Sequence, residues 1–221
     1  MQDILNDATF QQTLTELATQ TGENFQDIQQ EAADYLKELY TEQQPVANLI
    51  TLETVEYLLS RAYDQNIDVD PTEMRQVARL VREHPVAFVM THKTYIDMIV
   101  LGLVLARHGL PIPYIFAGIN LRFMGLAQVG QQNGLIFIRR SFKDNVVYKA
   151  TLRHYIARIL NERGSFMWSI EGTRSRTGKL VWPQMGILKY IMDAERESKE
   201  EVKYVPVSIV YDLIPDVKEM T

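Results

Sequence analysis

Apolar residues recur at helical spacing through the first 84 residues, and this spacing predicts amphipathic helices. Asp70 and Pro71 mark the start of one of them, because aspartate caps a first turn and proline suits the first helical position. That helix should end before Pro85, since proline disfavours helical backbone in the residue before it. We therefore predict a small all-helical domain over residues 1–84. Its apolar faces are Leu14, Leu17 and Ala18; Ile28, Ala32, Tyr35, Leu36 and Leu39; and Leu52, Val55, Leu58 and Leu59.

Short apolar runs alternate with helical stretches from residue 85 onward. The runs are continuously apolar, which is typical of strands in a sheet that is covered on both faces. Alternation of strands with helices predicts an α/β architecture. We therefore expect residues 85–221 to form an α/β domain with a mostly parallel or mixed sheet covered by helices. The predicted strands are 86–90, 114–117, 135–138, 166–170 and 204–210, and the predicted helices are 95–108, 121–129, 146–163 and 186–196.

Charge is distributed unevenly along the chain, although the formal net charge is only −5. Residues 1–84 carry 5 basic and 16 acidic side chains, whereas residues 85–189 carry 14 basic and 4 acidic ones. Such a basic segment favours an anionic partner, which could be a phosphate, a coenzyme, an anionic lipid or a nucleic acid. The alternative is a solvated basic surface that faces the acidic segment.

Composition excludes several classes of protein. With 46% hydrophobic and 23% charged residues, the chain has the profile of a globular protein. The absence of cysteine excludes disulfides, thiolate nucleophiles and zinc–thiolate centres, and we expect no metal site. The first residues are polar and acidic, unlike a signal peptide. The longest apolar run, 98–106, is far shorter than the roughly 20 residues that span a bilayer, so no transmembrane helix is expected in this segment.

Ionisable side chains follow three of the predicted strands at the point where each strand ends. His92 and Asp97 follow the first strand, Arg139 and Arg140 the third, and residues 171–176 the fourth. In open α/β sheets, ligands bind beyond the carboxyl ends of the strands. If the strands are parallel, we expect these groups to converge at one edge of the sheet.

His92 and Asp97 are candidates for a general base and its orienting carboxylate. If His92 lies in a loop and the helix begins near Thr94, Asp97 can turn back, hold the Nδ1–H tautomer and leave Nε2 as the base. The same spacing also arises by chance, as a loop histidine beside an ordinary helix aspartate. Because the sequence lacks both cysteine and a G-x-S-x-G elbow, the pair favours direct attack by a substrate hydroxyl or by water.

Arginine pairs at two of these strand ends favour an anionic ligand. Arg174 and Arg176 follow Gly172, which lets a backbone approach a ligand, and a planar guanidinium suits phosphate. Arg139 and Arg140 add a second pair. The alternative is a set of surface ion pairs without a functional role.

Four strings occur in order between residues 92 and 212: HKTYID at 92–97, GLIFIRR at 134–140, IEGTRSR at 170–176 and VPVSIVYD at 205–212. In this order they resemble the four motif blocks of the glycerolipid acyltransferases of the HxxxxD type. The double arginine and the full EGTRSR string are most similar to the glycerol-3-phosphate and dihydroxyacetone-phosphate acyltransferases. Thr94 stands where serine is common in that branch, and Gln184 where many members have lysine. Members usually continue past the fourth block, so we expect the domain to be truncated at its C-terminus.

The resemblance implies a reaction. Acyl-CoA, or an acyl chain on acyl carrier protein, would donate a fatty acyl group to the sn-1 hydroxyl of glycerol 3-phosphate and give lysophosphatidate, the first step of phospholipid synthesis. His92 would be the general base and Asp97 its orienter, Pro206 would lie on the acyl-donor side, and no cofactor would be needed. The residues implied in substrate binding are Arg139, Arg140, Glu171, Gly172, Thr173, Arg174, Ser175 and Arg176.

Other interpretations stay open at this point. The same base and arginines could serve a dihydroxyacetone-phosphate or lysophosphatidate acyltransferase, or the basic edge could belong to a non-catalytic module that binds anionic lipid. No nucleic-acid recognition motif is present, so we expect no nucleic-acid partner. Because such substrates and products belong to membranes, we expect a peripheral protein at the cytoplasmic face of the membrane, with the apolar stretches 98–106, 112–117 and 121–129 as candidates for an interfacial surface.

Overall fold

The protein is represented by a computed structural model, which describes residues 1–62, 67–94, 96–120, 127–139, 144–175 and 177–211. Within these ranges a parallel sheet is flanked by helices, which confirms the predicted α/β fold. No helix in the same ranges is long and apolar enough to cross a membrane.

Three of the helices that precede the sheet begin at side-chain caps that the sequence supplies. Asp7 accepts a hydrogen bond from the N–H of Phe10, and Asn24 accepts one from the N–H of Gln26. Asp70 caps the last of these helices as predicted, and each cap satisfies an N–H group that the first turn leaves without a helical partner. The helices are α1 (Gln2–Leu5), α2 (Ala8–Thr21), α3 (Phe25–Leu39), α4 (Pro45–Ala62) and α5 (Pro71–Glu83).

Among the residues that the structure describes, the sheet has five strands in the order β3-β2-β4-β1-β5. Every neighbouring pair is parallel, so the carboxyl ends of the strands lie at one edge, as a parallel sheet requires. β1 lies between β4 and β5, whereas β3 is three positions from β1, about 14 Å away at the usual strand spacing. The strands are β1 (Val86–Met90), β2 (Tyr114–Gly118), β3 (Leu135–Ile138), β4 (Phe166–Ser169) and β5 (Lys203–Val207).

Helices cover both faces of the sheet, with one apolar cluster on each. Along β1, Ala87 belongs to one cluster and Phe88 to the other, because successive side chains of a strand point to opposite faces. The first cluster contains residues of α8 and α9, and the second contains residues of α5 and α6. The helices that follow β1 are α6 (Asp97–Arg107), α7 (Ala127–Gln132), α8 (Val146–Asn161) and α9 (Gly186–Ser198).

The N-terminal helices share the first cluster with the sheet. Phe10, Leu14 and Leu36 are fully buried against the same core as Tyr148 and Leu152 of α8. At residues 84 and 85 the chain therefore passes from helices to the sheet, while the N-terminal helices and the sheet share one continuous apolar core. That residues 1–84 form a domain of their own stays a prediction.

The element ends differ from the predicted ones by a few residues. The helix predicted over 95–108 begins at Asp97, because residues 91–94 form the loop that carries His92. The last strand ends at Val207 instead of continuing to residue 210. Of the helix predicted over 121–129, residues 121–126 lie outside the described residues, and α7 begins at Ala127.

Candidate active site

The loop after β1 brings His92 and Asp97 together. Asp97 is the first residue of α6, so its side chain can turn back along the loop, and its Oδ2 lies 3.1 Å from Nδ1 of His92. The Asp97 side chain is 3% exposed, and that of His92 is 20% exposed. Because a carboxylate only accepts hydrogen bonds, Nδ1 of the neutral imidazole carries the proton and Nε2 is the basic nitrogen. The pair has the geometry of a base and its orienter.

Hydrogen bonds keep the Asp97 carboxylate ionised inside the protein. Its Oδ2 also accepts the N–H groups of Lys93 at 2.7 Å and Thr94 at 3.0 Å. Burial raises the pKa of Asp97, but hydrogen bonds from the imidazole, the backbone and a tyrosine hydroxyl outweigh burial and hold that pKa below its ordinary value. The carboxylate therefore remains charged beside the imidazole, where it can stabilise an imidazolium.

Tyr211 supplies that hydroxyl, and the sequence analysis did not single it out. Its hydroxyl donates to Oδ1 of Asp97 at 2.7 Å, across 114 positions of sequence. The contact arises because β5 is the neighbour of β1, so that the segment after β5 passes the loop after β1. Tyr211 lies four residues after the end of β5. Its contact with Asp97 could be predicted only if β5 were known to be the neighbour of β1.

Glu171 lies beside this loop because β4 is the other neighbour of β1. Its side chain is buried, and both of its carboxylate oxygens accept backbone N–H groups. Oε2 accepts the N–H of His92 at 2.9 Å, and Oε1 accepts the N–H of Val181 at 2.8 Å. The glutamate predicted to bind substrate thus makes two contacts within the protein, and its contact with substrate stays a prediction.

The loop after Glu171 is joined to the histidine loop as well. The N–H of Ser175 donates to the carbonyl oxygen of His92 at 2.8 Å, which places Arg174 one residue from that hydrogen bond. Gly172 has a φ of +65°, and a Cβ there would lie 3.1 Å from Cγ of Gln184. The left-handed backbone and the close glutamine side chain therefore both favour glycine at this position. Gly172 and Thr173 are exposed, and their contact with substrate stays a prediction.

Arg139 follows β3 and is paired with α3. Its guanidinium donates three hydrogen bonds to the Glu38 carboxylate: two from Nε, at 2.8 and 3.1 Å, and one from Nη2, at 2.7 Å. It also lies 4.7 Å from the ring centroid of Tyr35 and 5.3 Å from that of Tyr148. The hydrogen bonds that Arg139 donates to Glu38 raise the pKa of Arg139, although burial opposes this effect. No local pattern in the sequence indicates that Glu38 pairs with Arg139, and substrate binding by Arg139 stays a prediction.

The remaining predicted site residues divide into two groups. Arg140 and Arg176 lie outside the described residues, as does Tyr95 of the first string. Pro206 is described: it is exposed and lies on β5, which is an edge strand of the sheet. Proline is tolerated on an edge strand because its missing N–H is not needed for pairing on the open side. Its place on the acyl-donor side stays a prediction.

Residues 69–210 match the acyltransferase family, and this range holds both His92 and Asp97 and the 171–175 loop. The chain belongs to the acyltransferase family. It is 36% identical over 219 residues to proteins named "Putative acyltransferase plsB1" from Mycobacterium bovis (strain ATCC BAA-935 / AF2122/97) and Mycobacterium tuberculosis (strain ATCC 25618 / H37Rv). These alignments cover 99% of this chain and 35% of each relative.

A second kind of relative carries a more specific name. A glycerol-3-phosphate acyltransferase of Histophilus somni (strain 129Pt) is 35% identical over 163 residues, which are 73% of this chain and 20% of that protein. This acyltransferase chain therefore spans about a third or less of the length of these curated relatives. The resemblance of the chain to the glycerolipid acyltransferase family is confirmed.

Proposed function

We propose that this acyltransferase moves a fatty acyl group from acyl-CoA, or from acyl carrier protein, to the sn-1 hydroxyl of glycerol 3-phosphate. The observation that supports it most is the contact of 3.1 Å between His92 and the buried Asp97, beside a loop that carries arginine. The name of the Histophilus somni relative favours glycerol 3-phosphate as the acceptor. The product is lysophosphatidate.

The proposed reaction needs a base and no enzyme nucleophile. Nε2 of His92 takes the proton of the sn-1 hydroxyl while that oxygen attacks the carbonyl carbon of the acyl thioester. The tetrahedral intermediate then breaks its carbon–sulfur bond, and the imidazolium returns the proton to the leaving thiolate. Asp97 stabilises the imidazolium between the two steps, which is the role that a buried, ionised carboxylate can fill.

The phosphate of the acceptor has a binding site in the loop after β4. The hydrogen bond between Ser175 and His92 ties this loop to the base, so a phosphate bound by Arg174 would hold its glycerol close to Nε2. Exposed Gly172 and Thr173 offer backbone and hydroxyl groups beside it. Arg139 can join this site only if its guanidinium leaves Glu38.

Exposed apolar side chains near the loop that carries Arg174 support peripheral binding to a membrane. Leu180 is 78% exposed and Trp182 is 86% exposed, in the segment that follows this loop. An exposed tryptophan beside basic residues suits the interface between lipid headgroups and acyl chains. We propose that this side of the molecule faces the lipid.

Acyl transfer from labelled acyl-CoA to glycerol 3-phosphate, dihydroxyacetone phosphate and lysophosphatidate, each offered alone to the full chain, tests the proposal. We expect labelled lysophosphatidate from glycerol 3-phosphate. His92→Ala should lower kcat about 100-fold or more, because it removes the general base. His84→Ala is the matched control, since His84 lies at the opposite end of β1 and should leave kcat unchanged.

Two results would contradict the proposal. Labelled product from one of the other acceptors alone would replace glycerol 3-phosphate as the substrate. Binding to anionic vesicles without transfer to any acceptor would indicate the non-catalytic lipid-binding module.

A further inference from the structure

We infer that Glu171 is a positioning residue that holds the catalytic base by its backbone, and that the buried carboxylate does this without touching the acceptor. The inference rests on the proposed function, because it assigns His92 the role of base. It adds a residue that acts through His92 and not on the substrate.

The burial of Glu171 is the first argument. Glu171 is only 2% exposed, whereas the neighbouring Gly172 and Thr173 are exposed. A ligand that contacts the loop from solvent therefore reaches the neighbours of Glu171 more readily than the carboxylate itself. A buried carboxylate also needs hydrogen bonds, and Glu171 receives one at each oxygen from the backbone.

The number of contacts on His92 is the second argument. The backbone N–H donates to Glu171 at 2.9 Å, and the backbone carbonyl accepts the N–H of Ser175 at 2.8 Å. The ring Nδ1 contacts Asp97 at 3.1 Å. Both backbone groups of the base are thus bonded to one segment, 171–175, and the ring is bonded to a different element. Glu171 and Ser175 set where the residue lies, and Asp97 sets how its ring is turned.

The second oxygen of Glu171 connects this support to the arginine loop. Oε1 accepts the N–H of Val181, and the adjacent carbonyl of Ile170 accepts the N–H of Gln184 at 2.6 Å. These contacts join the two ends of the loop that lies between residues 171 and 184. The Glu171 carboxylate therefore holds the backbone of His92 and the backbone of Val181, which follows the proposed phosphate-binding loop, at a fixed separation.

Glutamate suits this position better than glutamine does. Both of its oxygens accept, whereas a glutamine amide would turn its NH₂ group towards one of the two backbone N–H donors. Hydrogen bonds to an ionised acceptor are also shorter and stronger than those to a neutral one. Glu171→Gln is therefore a nearly isosteric change that breaks one of the two contacts.

The test measures kcat and the acceptor KM of the full chain with acyl-CoA and glycerol 3-phosphate. We expect Glu171→Gln to lower kcat about 10- to 100-fold, because a small misplacement of a base is costly, and to leave the acceptor KM within about threefold. Ser165→Ala is the control, since Oγ of Ser165 accepts the N–H of Val86 at 3.0 Å at the opposite end of β1. It removes the same kind of buried contact, so it should lower the melting temperature and leave kcat unchanged.

The outcomes separate this inference from the proposed function. A wild-type chain without acyl transfer contradicts the proposed function. An active wild type whose Glu171→Gln variant keeps kcat and raises the acceptor KM would show that Glu171 contacts substrate, and the inference would be wrong. Equal losses of kcat in Glu171→Gln and Ser165→Ala would overturn it as well, since the role would then be structural. If Glu171→Gln does not fold, the same comparison is made with Glu171→Asp, which keeps the charge but is one methylene too short to make both contacts.

Discussion

Replacing Tyr211 with phenylalanine removes one hydrogen-bond donor to the Asp97 carboxylate, which orients the candidate base. The hydroxyl donates to Oδ1 of Asp97 at 2.7 Å, and the Asp97 side chain is 3% exposed. Water therefore cannot readily take the place of the lost donor. The other described contacts of the carboxylate, from His92 and from the backbone, converge on Oδ2. Tyr211→Phe thus removes the donor to the opposite oxygen, Oδ1.

The size and the pH dependence of the effect follow from this geometry. A hydrogen bond to a charged group contributes about 1.5–3 kcal/mol, and we expect the lower end because Oδ2 keeps its donors. A loss of about 1.5 kcal/mol corresponds to about tenfold in kcat if the carboxylate is needed to stabilise the imidazolium. Since the pKa of folded Asp97 is depressed, its ionisation stabilises the fold above the ordinary aspartate pKa, and this stabilisation is lost as the pH falls through the depressed pKa. The deficit of Tyr211→Phe should therefore be complete at neutral pH and should shrink in acid.

Urea unfolding across pH and steady-state acyl transfer measure these two quantities. Tyr204→Phe is the control, because Tyr204 lies on β5 in the same part of the chain and is 38% exposed. A Tyr211→Phe variant with wild-type kcat and a wild-type free energy of unfolding at neutral pH would refute the reasoning. A stability deficit that does not change with pH would refute its electrostatic part, because the loss would then not depend on an ionised Asp97.

Two further substitutions test the loop after β4. Gly172→Ala should lower the free energy of unfolding by about 1–3 kcal/mol, because alanine is strained at a φ of +65° and its Cβ would crowd Gln184. Urea unfolding measures this loss. The control is Gly178→Ala, at a glycine with a φ of +72° and no neighbour within 4 Å of the added Cβ. An equal loss in both variants would show that the contact with Gln184 costs nothing. Arg174→Ala should raise the KM for glycerol 3-phosphate about tenfold or more and change kcat less, because a charged contact with phosphate would be lost. An unchanged KM, measured beside the exposed Arg196→Ala on α9, would remove Arg174 from the proposed phosphate site.

The elements of the α/β fold could be predicted because burial leaves a strong pattern in the sequence. β1 and β3 have the predicted bounds, since each is a continuous apolar run that ends where charged or polar residues begin. The proximity of His92 and Asp97 could also be predicted, because an aspartate at the start of a helix can turn back towards a histidine in the loop before it. Both inferences depend on local sequence alone.

The partners of the site residues could not be predicted, because they depend on strand order. The contacts of Tyr211 with Asp97 and of Glu171 with His92 exist because β5 and β4 flank β1, and five parallel strands can be ordered in many ways. A sequence shows that polar residues follow each strand, but it does not show which of those strands are neighbours. The same limit applies to Arg139, whose strand ends at the same edge of the sheet but three positions away from β1.

The uneven charge of the chain has two explanations, and the structure lets them coexist. Part of the basic segment pairs with the acidic helices: Arg139 with Glu38 of α3, and Arg107 with Glu56 of α4. These pairs belong to the alternative in which one surface neutralises the other within the molecule. The loop that carries Arg174 is tied to the backbone of His92. An anionic acceptor that binds Arg139 must displace a carboxylate that accepts three hydrogen bonds from the guanidinium. Because the proposed phosphate site in the loop after β4 is joined directly to the backbone of the candidate base, we expect Arg174→Ala to weaken acceptor binding more than Arg139→Ala does.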